Sequence, residues 1–251
     1  MVTKWNVKIP QLSGETTRRV YLYLPDYYDA EPDRRFPVMY MFDGHNVFFD
    51  SDATYGKSWG MNSYMTWNRT PLIIVAVECN HQGTARLEEY APMSFENSTL
   101  GKINARGQIY MDWLVGTLKP EIDARYRTRP ERESTIICGS SMGGLMALYG
   151  ATEYNHVFQR AACLSPSLWV SPGKVLEMVA RADIKNDTCI YMDYGSNEIF
   201  NHHSSAEALI STAHLLLTKR VNLAFRIVPG GTHSEASWEQ QIPIFMDCLG
   251  L

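Results

Sequence analysis

Apolar positions along this chain fall into short runs separated by polar and glycine-rich stretches. Seven runs rich in β-branched and aromatic residues stand out: RRVYLYL from Arg18, FPVMYMF from Phe36, PLIIVAV from Pro71, STIIC from Ser134, QRAACLS from Gln159, CIYMDY from Cys189 and LAFRIV from Leu223. Such runs read as strands. The central ones are apolar on both alternations, which predicts a sheet covered on both faces.

Helical patterns lie between the later strands. One begins near Ala105 and carries Ile109, Trp113 and Leu114 toward one side, with Pro120 predicting a kink or break. SSAEALISTAHLLLTKR opens with Ser204 and Glu207 at capping-box spacing and closes on Lys219 and Arg220. A last helix follows His233, interrupted near Pro243. Strands alternating with helices after a strand-rich first third predict a mainly parallel sheet with an antiparallel start. No repeat or Gly/Ser linker divides the chain, so one domain over residues 1–251 is expected. The outline fits an α/β-hydrolase and other doubly wound folds alike.

Composition narrows the partners. The net charge of −4 comes from interspersed residues with no long basic block, which argues against nucleic acid. The longest apolar runs fall far short of the roughly 18 residues that suggest a membrane span. The N-terminus shows no apolar stretch behind a positive region, and the five cysteines are odd in number without C-x-x-C spacing. These features read as a cytoplasmic protein with free thiols. Monomer and homo-oligomer both remain open.

Candidate chemistry centres on ICGSSMGGLMALYG, from Ile137 to Gly150. Gly139-Ser140-Ser141-Met142-Gly143 fits G-x-S-x-G only with Ser141 at the centre. A strand that turns abruptly into a helix leaves its turn residue strained, and flanking glycines let neighbouring backbone pass closely. The buried strand STIIC before the motif and the small-residue helix GLMALYGA after it supply that context, so Ser141 is the expected nucleophile.

A serine hydroxyl needs a general base and a group that orients the base. Of the seven histidines, His156 follows the motif too closely, and His214 sits inside an amphipathic helix. His202 and His203 precede a helix and read as solvent-facing. His233 lies in PGGTHSEASW, a glycine-rich loop after the last strand, and is the expected base. Asp193 and Glu198 compete as the acid. Position favours Glu198, which has the longer reach from the loop beyond Gly195.

Several segments then resemble the putative-esterase family of α/β-hydrolases. They are VYLYLPDYYD, FPVMYMFDGHNVF, EIDARYRTRPERESTIICGSSMGGLMALYGA, LSPSLW, YGSNE and GGTHSEASW, which together cover almost the whole chain. The family includes esterase D, ferric-enterobactin esterases, feruloyl and acetyl-xylan esterases and the mycolyltransferases. The resemblance implies an α/β-hydrolase fold with a mainly parallel eight-stranded sheet and helices on both faces. It maps the family's serine onto Ser141, its histidine onto His233 and its acid onto Glu198, a glutamate where aspartate is commoner. In MFDGHN it implies an oxyanion loop, with the backbone amides of Met142 and His45 as donors. Removing one such donor typically costs roughly 2.7–4 kcal/mol of barrier.

Around the pocket, Phe48, Phe49 and Trp59 either fill core or line a wall. Trp169 is assigned to the pocket, because the matching family segment borders the site. Arg86, in TARLEEYAP, either meets an anionic substrate group or forms a surface salt bridge. No H-E-x-x-H or other zinc spacing, phosphate loop or dinucleotide fingerprint is found, so neither metal nor cofactor is expected. The resulting expectation is a serine esterase acting on a small-molecule or oligosaccharide ester, with an acetylated or feruloylated carbohydrate favoured. Siderophore trilactones, S-formylglutathione-type thioesters and acyl transfer are the alternatives, and a non-enzymatic binding module is the remote one.

Overall fold

A computed structural model describes residues 1–199 and 203–251, without the side chains of residues 97, 199 and 203–205. The histidine reading at His202 and the side chains of His203 and Ser204 therefore lie outside the described residues. Eight strands form the main sheet: β1 (Val2–Lys8), β2 (Thr17–Tyr23), β3 (Val38–Met41), β4 (Ile73–Val77), β5 (Thr135–Ser140), β6 (Arg160–Leu164), β7 (Cys189–Gly195) and β8 (Asn222–Val228). Their order is β1-β2-β4-β3-β5-β6-β7-β8. β1 pairs antiparallel with β2 and β2 with β4, and every later pairing is parallel. This is the α/β-hydrolase arrangement, with the antiparallel start at one edge.

Seven of the eight strands coincide with the apolar runs. β1 does not: only Val2, Trp5 and Val7 are half-buried, and its other residues are exposed. An edge strand covered on one side needs few apolar residues and leaves a weak pattern. A separate two-stranded hairpin, Phe95–Asn97 with Gly101–Ile103, was also silent in the apolar pattern.

Alternation along the central strands feeds two cores. Ile137, Val38 and Tyr40 face one, packed with Leu145, Met146 and Leu148 of the helix Met142–Glu153. Ile136, Cys138, Met39 and Met41 face the other, packed with Met61, Met65, Trp238 and Phe245. Burying each such side chain contributes about 1.5–3 kcal/mol, so the double alternation commits the sheet to helices on both faces.

Pro120 does not end its helix. Gly107–Trp113 continues through a wide π-type turn, Leu114–Leu118, into Lys119–Arg125. The i→i+5 pattern of that turn relaxes the demand for the donor that proline lacks. The last helix divides as expected, into Glu235–Glu239 and Ile242–Cys248, with Pro243 in the first turn of the second. All five cysteines are free, three of them buried. Among the described residues, no helix is long and apolar enough to cross a membrane.

Candidate active site

In a parallel sheet the strands end together, and the loops that follow them meet above one edge. Here β3 is followed by Asp43–Asn46, β4 by Cys79–His81, β5 by Ser141, β6 by Ser165, β7 by Glu198 and β8 by His233. Residues far apart in sequence thereby share one rim.

Ser141 occupies the turn between β5 and the helix Met142–Glu153 at φ 58°, ψ −124°, a left-handed-side backbone that a β-substituted residue adopts only under strain. Close packing holds it there. A Cβ on Gly139 would lie 2.6 Å from the Gly143 backbone, so no other residue fits that position. The Ser141 N–H donates to the Leu164 carbonyl at 3.0 Å, and its carbonyl accepts from Ser167 N–H at 3.0 Å. Its hydroxyl projects over the N-terminus of the helix.

The His233 Nε2 lies 2.9 Å from Ser141 Oγ, and His233 Nδ1 lies 2.5 Å from Glu198 Oε2. Glu198 is buried while the His233 side chain is 42% exposed, so the carboxylate is shielded and the imidazole open to solvent. The second carboxylate oxygen of Glu198 accepts from the Gly195 N–H at 3.0 Å and the Ser165 hydroxyl at 2.8 Å. A Cβ on Gly195 would fall 2.3 Å from the Gly231 carbonyl oxygen, so the close approach of the acid loop to the histidine loop requires glycine there.

Geometry thus brings Glu198, not Asp193, to His233. Asp193 is buried in the strand, accepting from Tyr191 OH at 2.7 Å and Ser165 N–H at 3.1 Å. Burial pushes its carboxyl up to about 6.

Met142 is the first residue of its helix, so its N–H points out of the helix end without an intrahelical acceptor. His45 lies in the single turn Gly44–Asn46, beside the same cavity. Asp43 ahead of it has φ 54°, and a Cβ on Gly44 would meet the Ala76 backbone at 2.7 Å, so the turn is wedged against β4. The His45 ring is buried, with Nε2 3.0 Å from Thr54 Oγ1.

Arg86 resolves between its two readings in favour of an ion pair within the protein. Its Nε and Nη2 donate to the two Asp43 oxygens at 2.7 Å each, a fork on a buried carboxylate at the cavity wall. Burial alone would push the Asp43 carboxyl up, but the Arg86 guanidinium outweighs it and holds the group below its ordinary value. Phe48 and Trp59 are core residues, Trp59 packing on Trp238 and Phe245 while one edge reaches the cavity.

Two cavities open on either side of Ser141 and His233. One, about 650 Å³, is also lined by His45, Lys57, His81, Arg86 and Trp238. The other, about 370 Å³, is lined by Trp169, Tyr194 and Ser167, so Trp169 does border the site. Sequence reasoning passed over Ser165 and Trp238. Both stood in the quoted segments LSPSLW and GGTHSEASW, but only their meeting in space shows that Trp238 Nε1 donates to Ser165 Oγ at 2.9 Å.

The family described as Putative esterase matches residues 13–245 of the chain. The protein YbbA of Bacillus subtilis is 25% identical over 185 residues, 72% of this chain and 69% of its own length. The enterobactin esterase of Shigella flexneri, solved in the presence of enterobactin, shares the fold at TM-score 0.74 and 17% identity, over 100% of this chain and 58% of that one. A ferulic acid esterase shares it at TM-score 0.67 and 17% identity, over 99% and 98%.

Proposed function

Because the chain belongs to the Putative esterase family and is a carboxylic ester hydrolase, we propose that it works through an acyl-enzyme on Ser141. The supporting observation is the continuous chain Ser141 Oγ–His233–Glu198, with contacts of 2.9 and 2.5 Å. Ser141 Oγ attacks the ester carbonyl carbon while His233 Nε2 takes its proton. Glu198 holds the imidazole by its Nδ1–H and stabilises the imidazolium. The backbone amides of Met142 and His45 receive the oxyanion. His233 then protonates the departing alcohol, and a water activated by the same nitrogen releases the acid.

For the substrate we propose an acetyl or feruloyl ester of a carbohydrate. A flat aromatic acyl group suits the smaller cavity against Trp169 and Tyr194, and a polyhydroxylated alcohol suits the larger one, where Asn46, Thr54 and Asn80 stand in the wall. The likeness to a ferulic acid esterase supports this choice. One observation favours a second reading. Lys57 puts an ammonium group at the wall of the larger cavity, which also suits a catechol-bearing siderophore lactone, as the enterobactin esterase likeness suggests. The five free thiols support a cytoplasmic setting, and one domain across the chain belongs to the same reading.

The deciding test is initial hydrolysis of methyl ferulate, acetylated xylo-oligosaccharide and a catecholate trilactone, with Ser141→Ala as blank. Serine-dependent turnover of either of the first two supports the carbohydrate reading. Turnover of the lactone alone transfers the assignment to siderophores, and no difference from the blank on any ester overturns the role of Ser141.

A further inference from the structure

His45, Cys79 and His81 each offer one ligand atom, and the three atoms lie within 4.8 Å of one another at the wall of the larger cavity. We propose that these three side chains form a binding site for a thiophilic divalent cation of the Zn²⁺ class, which uses none of the side chains of Ser141, His233 and Glu198, adjoins their machinery at His45, and opens to the same cavity.

The hydrogen bonding around the cluster prepares two imidazoles as ligands. His45 Nε2 is 3.0 Å from Thr54 Oγ1, and His81 Nε2 is 3.1 Å from Glu78 Oε1. An ε-nitrogen that donates to such an oxygen leaves the δ-nitrogen with a free lone pair, the arrangement by which outer carboxylates and hydroxyls orient metal-binding histidines. His45 Nδ1 is buried and has no hydrogen-bond partner among the described residues, in a residue only 5% exposed. A buried polar atom left without a partner costs about 1–3 kcal/mol, and a cation at this point would satisfy it. His81 Nδ1 lies 4.0 Å from Cys79 Sγ. The two rings meet edge to face with centroids 4.7 Å apart.

The loop that carries Cys79 and His81 is held from both sides. Asn80 N–H donates to Glu89 Oε1 at 2.8 Å, and Glu89 is in turn paired with buried Arg18 at 2.7 Å. Glu78 Oε2 accepts from the Arg19 N–H at 3.1 Å. The opposite ligand sits on the turn wedged against β4. In a tetrahedral zinc site, bond lengths of about 2.0–2.3 Å put neighbouring donors about 3.3–3.6 Å apart. Closing the gap calls for a small rotation, which the half-exposed His81 side chain can make.

The Asp43 carboxylate, hydrogen-bonded to the Cys79 thiol, and the Arg86 guanidinium paired with it stand beside the cluster. Ligation takes the imidazoles in their neutral form and the cysteine as a thiolate. Burial pushes the Cys79 thiol up, so the metal itself must displace the proton. On binding, the S–H bond breaks, the proton leaves to solvent, and the sulfur electron pair forms the metal–thiolate bond. Two nitrogens and one sulfur leave a fourth position facing the cavity, available to water or to an oxygen of a bound molecule.

Titration of the metal-free protein with Co²⁺, followed by optical spectroscopy, tests the site independently of hydrolysis. The expected result is one equivalent bound with a thiolate-to-cobalt charge-transfer band, displaced by Zn²⁺. Cys79→Ser abolishes the band, and His81→Ala weakens binding by roughly tenfold or more. A His233→Ala variant keeps the band, which separates this site from any cation held by His233 and Glu198. Thermal unfolding of each variant establishes that it is folded. Absence of the band in the wild-type protein, or binding that Cys79→Ser leaves unchanged, overturns the site.

Discussion

Trp238 donates its indole Nε1–H to Ser165 Oγ at 2.9 Å, and Ser165 Oγ donates onward to Glu198 Oε1 at 2.8 Å. The His233 ring stands edge to face on the same indole, with centroids 5.1 Å apart. One side chain of the segment Glu235–Glu239 therefore touches His233 directly and reaches Glu198 through Ser165. Glu198 meets three donors (Gly195 N–H, Ser165 OH and His233 Nδ1–H), which fixes its carboxylate without a counter-cation.

Trp238→Phe keeps most of the packing but removes the indole donor. A lost hydrogen bond of this kind is worth about 1 kcal/mol, so kcat is expected to fall about fivefold with KM little changed. Steady-state kinetics on a fast ester would read this. An unchanged kcat would show that Ser165 holds Glu198 without help.

Glu198→Gln leaves the shape in place and reverses the hydrogen bond to His233 Nδ1. An amide nitrogen pointing at Nδ1 selects the tautomer that cannot take the Ser141 proton. A fall in kcat of roughly 10³–10⁴-fold is expected, the scale of neutralising a triad carboxylate. Asp193→Asn in the same assay stays within about tenfold of wild type, since Asp193 contacts Tyr191 and Ser165 but not His233. Equal losses for the two variants would contradict the assignment of the acid.

Asp193 also makes stability depend on pH. Burial lifts its carboxyl from 3.8 to about 6 in the folded chain. The native state therefore holds a proton that the unfolded state has released between those values. Its contribution is full below about pH 4 and is lost as pH rises through about 6, by at most about 3 kcal/mol. Urea unfolding at pH 4 to 7 should show wild type losing ground to Asp193→Asn across that window. Parallel stability curves would rule out the shift.

Arg86→Ala leaves the Asp43 carboxylate buried without its fork and is expected to destabilise the fold by about 3–5 kcal/mol. Arg86→Lys restores charge but not the two-pronged geometry, so it recovers only part of the loss. Urea midpoints for the pair decide this. A difference under about 1 kcal/mol between Arg86→Ala and wild type would mean that Asp43 finds another partner.

Much of this architecture was legible because period-2 burial on a two-sided sheet writes long apolar runs, such as IIVAV in β4, into the chain. Ser141 and His233 were legible for a related reason. A strained strand-to-helix turn demands glycine at Gly139, and that demand leaves a mark at fixed spacing. β1 was silent because an edge strand buries little, and at Pro120 the regular α-helix is interrupted by a π-type turn without the chain leaving the helix.

Sequence alone thus determined seven of the eight strands of the main sheet and marked Ser141 and His233 at the loops that follow them, since local backbone and burial requirements constrain which residues can stand there. Tertiary structure decided what depends on meeting across loops. It chose Glu198 over Asp193, turned Arg86 inward onto Asp43, and brought Trp238 to Ser165. It also gathered His45 with Cys79 and His81, which no linear metal spacing records. The reason is common to all four. Parallel strands end at one rim, so residues on different loops become neighbours at distances that chain separation does not encode.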